Sequence, residues 1–75
     1  MKDLEKLDQE IRQAQAEGNS DRLMEIYHQL GKEEMPLNED AAAFLLVQAL
    51  VYGLEAGRAE ADEIHNCLKE MGREE

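Results

Sequence analysis

A chain of 75 residues has room for one domain and one modest core, and with Cys67 as its single cysteine it cannot close an intrachain disulfide. Eighteen acidic side chains against eight basic ones give a formal charge of −10, which repels phosphate backbones and anionic bilayers and so argues against nucleic acid and membrane as partners. Only His28, His65 and Cys67 could offer nitrogen or sulfur to a structural zinc site that usually takes about four such ligands, so oligomerisation or close helix packing is expected to supplement the core.

The first segment sets Leu4, Leu7, Ile11 and Ala14 three and four residues apart, on one helical face, with Lys2, Glu5, Lys6, Glu10 and Arg12 largely elsewhere. This amphipathic helix should stop near Gly18, where the left-handed conformation is free of Cβ strain, and Asn19 or Ser20 can cap the next one. A second helix carries Leu23, Ile26, Tyr27 and Leu30 on one face and ends between Gly31 and Glu34, before Met35 and Pro36.

Asn38 reads as the cap of a third helix, with Glu39 and Asp40 in its first turn beside the free amides. From there to about Ala56 apolar side chains point in nearly every direction, leaving a narrow strip through Gln48 and Glu55, so this helix is expected to be surrounded. Gly53 inside it costs about 1 kcal/mol relative to alanine, and either a neighbouring helix approaches closely there or the helix tolerates it. Gly57 closes the segment. A fourth helix, from about Arg58 to Met71, aligns Ala61, Ile64, Leu68 and Met71 before Gly72 and a charged tail.

The expectation is one all-α domain over residues 1–75, a four-helix unit of two helix-turn-helix hairpins, either a small bundle or a repeat-like pair. The longest uncharged run, Ala41 to Leu54, falls short of the roughly 18 to 20 residues a bilayer crossing needs. With the lone cysteine and no basic, apolar leader, this points to a cytoplasmic protein.

Two acid-x-x-His spacings, Glu25 to His28 and Asp62 to His65, match the di-iron pattern of four-helix bundles, but those motifs must point inward. Glu25 lies about 180° from its helix's apolar face and Asp62 roughly 150°, so solvated surface pairs are expected and no metal. His65 and Cys67, two apart on a helix, face different sides and cannot act together as base and nucleophile. No glycine-rich phosphate loop is present. No catalytic residue and no cofactor is therefore assigned, and no enzymatic activity is expected.

Gly18, followed by Leu23, Tyr27 and Leu30 and then Pro36, with Gly57, Ala61, His65 and Leu68 as a second unit, resembles the tetratricopeptide repeat. Gly18 and Gly57 stand further apart than the family's usual period of ~34 residues, and the aromatic and Leu-Gly pair of the family's first helix are missing. The resemblance implies stacked hairpins that bind a peptide or protein along the first and third helices.

Function is accordingly expected to be a non-catalytic protein-interaction module, an adaptor, chaperone-like subunit or regulator. Alternatives are a purely structural self-associating protein, or an acidic antagonist of a basic nucleic-acid-binding protein. Self-association as a dimer is expected through the stripe of Phe44, Gln48, Val51 and Tyr52, with Leu46, Leu50 and Leu54 forming the internal core.

Overall fold

The computed structural model describes residues 4–72; Lys2 and the charged tail after Gly72 lie outside them, as does the side chain of Leu4. Helix covers 84% of these residues and no strand is present among them. Four helices follow in order, α1 (Leu4–Glu17), α2 (Ser20–Glu34), α3 (Glu39–Ala56) and α4 (Glu60–Glu70).

The boundaries follow local chemistry. Gly18 takes φ 66° and Gly57 φ 67°, and beyond each glycine an amide reaches back to close the helix end: Asn19 N–H to Ala14 O at 2.9 Å, Arg58 N–H to Gly53 O at 2.9 Å. Both hairpin turns thus satisfy carbonyls that a helix C-terminus leaves open. The side chains of Asn19 and Asn38 accept from the amides of Arg22 and Ala41, each at 3.1 Å, and start α2 and α3. Helix α4 begins at Glu60, two positions later than expected, and Ala59 at its N-cap offers it no side-chain hydrogen bond.

Each helix packs on its chain neighbours, α1 on α2, α2 on α3 and α3 on α4, in a slab 32 × 31 × 13 Å in extent. The α2–α3 seam is the most extensive and the α1–α2 seam the sparsest of the three. Met24, Ala43, Leu46, Ala49, Ile64 and Leu68 form the core, which draws on α2, α3 and α4.

Helix α3 turns its small residues toward its neighbours: Ala42, Ala49 and Gly53 are buried beside Leu46. A Cβ built on Gly53 would stand 3.2 Å from Met24 Cγ and 3.4 Å from Ala61 Cβ, so this glycine marks a close approach. Gly31, expected near the end of α2, lies inside that helix, and a Cβ there would come within 2.7 Å of Leu46 Cδ2.

Two expectations are corrected here. Helix α3 is not surrounded, because consecutive packing in a thin slab gives it α2 and α4 as neighbours while α1 docks on α2. Leu54 is not core but 65% exposed, and Leu50 is half-buried at the core's edge. Close packing selects small side chains, so the buried arc of α3 follows alanine and glycine and sends several of its larger residues outward.

Candidate functional site

The outward side of α3 carries three of the four large hydrophobic side chains that are exposed among the described residues. Phe44 and Val51 stand two turns apart on the same line and remain 64% and 47% exposed, with Leu54 beside them. Together they present one apolar patch, and the largest such patch on a small protein is often a functional one. Gln48, between Phe44 and Val51 on the helix, is half-buried.

Tyr52 differs from the rest of the expected stripe. Its ring stacks on Tyr27 of α2, with centroids 5.8 Å apart and planes 11° from parallel, and it is half-buried. Burial, and then the neighbouring Tyr52, push the Tyr27 hydroxyl above its ordinary range. The structure therefore places Phe44, Gln48 and Val51 along one line and Tyr52 at its margin, against α2.

Carboxylates mark the ends of the face: Glu39 and Asp40 at the start of α3 and Glu55 near its end, all exposed. Glu55 accepts a hydrogen bond from Ser20 Oγ at 3.1 Å, tying the end of α3 to the start of α2. Helix α3 contains no lysine or arginine.

A groove of about 350 Å³ lies between α1 and α2, floored by Leu7, Ile26 and Leu30 and edged by Glu10, Arg22 and Glu25. It lies away from the Gly18 turn, next to which Ala14 is buried. Nothing in the sequence announces the groove, because it depends on the angle between two helices.

The residues considered for chemistry are dispersed. Glu25 is exposed, 3.6 Å from Arg22 and 3.8 Å from Arg58. His28 is half-buried, and desolvation, with Lys32 adding to it, pulls its pKa below the ordinary value. Asp62 is exposed, and Cys67 sits half-buried against the core. Among the described residues no polar or charged side chain is fully buried, and no three of His, Cys, Asp and Glu gather where they could hold a metal ion.

The strongest electrostatic feature is Arg58, in the turn between α3 and α4. Its guanidinium donates to both carboxylate oxygens of Glu60, at 3.1 and 2.6 Å, and to Asp21 at the start of α2, at 2.7 Å. Those hydrogen bonds from Arg58 are the main reason the Glu60 carboxyl is pushed down to about 2, and they raise the pKa of Arg58 in turn. The cluster fastens the second hairpin to α2.

No known protein family, curated protein or solved structure matches this chain. Among the described residues no helix is long and apolar enough to cross a membrane. What this surface offers chemically is a contact: an apolar helical face, acidic at both ends.

Proposed function

We propose that this chain is a non-catalytic, cytoplasmic protein-interaction module that acts through the open face of α3. The observation that carries the reading is the exposure of Phe44, Val51 and Leu54 side by side on a helix whose other sides are packed. An apolar face of this kind lowers its free energy when a partner covers it. The tetratricopeptide resemblance implies that the first and third helices carry the ligand, which agrees with a role for α3.

Self-association is the second reading, favoured by the line of Phe44, Gln48 and Val51, which a copy related by a twofold axis would also present. The test is affinity purification of the tagged protein from its own cells beside a Phe44→Ser, Leu54→Ser variant. Both substitutions fall at exposed positions, so the helical circular dichroism signal should persist. A stoichiometric partner held by the wild type and lost by the variant is the expected result. A partner held equally by both would overturn the assignment to α3.

A further inference from the structure

We infer that the open face of α3 takes an amphipathic helix of a different protein, with lysine or arginine flanking its apolar stripe, in preference to a second copy of this chain. The inference rests on the interaction-module reading and adds the chemistry of the occupant. Shape supplies the first part. Phe44, Val51 and Leu54 extend over about 15 Å of helix at 1.5 Å per residue, a run that two to three turns of a partner helix can match with apolar residues at i, i+3 or i+4, and i+7.

Charge supplies the second. The face ends in Glu39 and Asp40 on one side and Glu55 on the other, and α3 has no cation of its own. Arg12, Arg22 and Arg58 are each engaged with carboxylates of this chain, Arg12 with Asp8 at 2.9 Å and Arg58 with Asp21 at 2.7 Å. Two copies meeting through α3 would set acid against acid. Antiparallel, Glu39 and Asp40 of each approach Glu55 of the other; parallel, each acidic end meets its own kind. Such juxtaposition disfavours a partner, whereas flanking lysines meet both ends and speed encounter. Area agrees. Three exposed apolar side chains are few beside the roughly 20 to 30 residues a side of a typical stable interface, so attraction between charges matters more here than in a large apolar dimer.

The experiment titrates the isotope-labelled full chain with a synthetic helix of roughly 18 residues bearing leucine at positions a and d of the heptad and lysine at e and g, beside the same peptide with glutamate for lysine. The lysine peptide should shift the resonances of Phe44, Val51 and Leu54 and weaken about tenfold or more between roughly 50 and 300 mM salt, while the glutamate peptide leaves them in place. Phe44→Ser with Leu54→Ser, which leaves the net charge unchanged, should weaken binding at least about tenfold. Equal binding by that variant, shifts confined to the α1–α2 groove, or equal binding of the glutamate peptide would each overturn the inference. Sedimentation equilibrium without peptide separates it from its parent reading. A dimer that Phe44→Ser dissolves would refute the basic partner and keep the α3 face as an interaction site, and a monomer that binds neither peptide would refute the basic partner and leave the module reading to the purification.

Discussion

On one side α2 meets α3 with glycine and alanine between them, and on the other it meets α1 across a groove. Gly31 lies under Leu46 and Gly53 lies under Met24, so the α2 and α3 backbones approach closely and the large side chains between them lose almost all contact with solvent. In α1, Ala14 is buried next to the turn, but Leu7 and Ile11 are only half-buried. The ion pair across that seam, Arg22 with Glu10 at 3.6 Å, is exposed and so contributes little. One α-helix is thus built into the domain on one side and carries a lightly attached neighbour on the other. Small residues at a contact can hold a short domain together better than large ones, because they let the surrounding large ones be enclosed.

The widest separation between the two seams should come from truncating a leucine in each. Leu46 is 1% exposed at the centre of the core, and Leu46→Ala should cost about 2–5 kcal/mol, much of the stability of a domain this size. Leu7→Ala, on the floor of the open groove, should cost less, about 1–2 kcal/mol, since that side chain is only half-buried. Urea unfolding followed by circular dichroism measures both. Equal losses would mean that α1 is as firmly built in as α3.

A finer contrast lies within the tight seam. At Gly31 an added methyl would press on Leu46 Cγ as well as Cδ2, at 2.8 and 2.7 Å, and the enclosed leucine has little room to move. Overpacking of about 1–3 kcal/mol should outweigh the roughly 1 kcal/mol that alanine gains over glycine in a helix, so Gly31→Ala should destabilise. At Gly53 the nearest contact is 3.2 Å, with the flexible side chain of Met24, and the two effects should nearly cancel. If Gly31→Ala raised the denaturation midpoint, the seam would be looser than its geometry indicates.

How much of this was legible in the sequence follows from the range of each interaction. Helix ends depend on neighbours within a turn, and Gly18, Asn19, Pro36, Asn38 and Gly57 marked them. The orientation of α3 is another matter: a helix apolar all round has no periodic direction, so Leu54, expected in the core, is exposed. The alanines and glycine at 42, 49 and 53 were the better guide to the buried side. Phe44, Gln48 and Val51 could be aligned by spacing alone, but the stacking of Tyr52 on Tyr27 joins two helices and no local rule reaches it. The same holds for Arg58 and Asp21, far apart in sequence and joined in space.

The smallest expected effect concerns the Arg58 cluster with Glu60 and Asp21, which holds the second hairpin to α2 on the tight side of the molecule. With the Glu60 carboxyl at about 2 in the folded chain and near 4.3 for a free glutamate, the folded state favours the ionised form. The contribution is therefore fully present above the ordinary glutamate range and is lost as the pH falls from there through about 2. Both partners are partly exposed, so salt should weaken it and its size should be modest. Thermal midpoints of the wild type should fall as the pH drops from about 5 toward 2, and Glu60→Gln, which cannot titrate, should fall less steeply over the same window. Asp21, the other acceptor of Arg58, still titrates in that variant, so some slope should remain. Arg22→Ala, which breaks only the long exposed pair to Glu10 and the local one to Glu25, should leave the midpoint almost unchanged. Parallel pH profiles for wild type and Glu60→Gln would mean that Glu60 is not held by Arg58 in solution, and the join between the second hairpin and α2 would then rest on Asp21 and on packing.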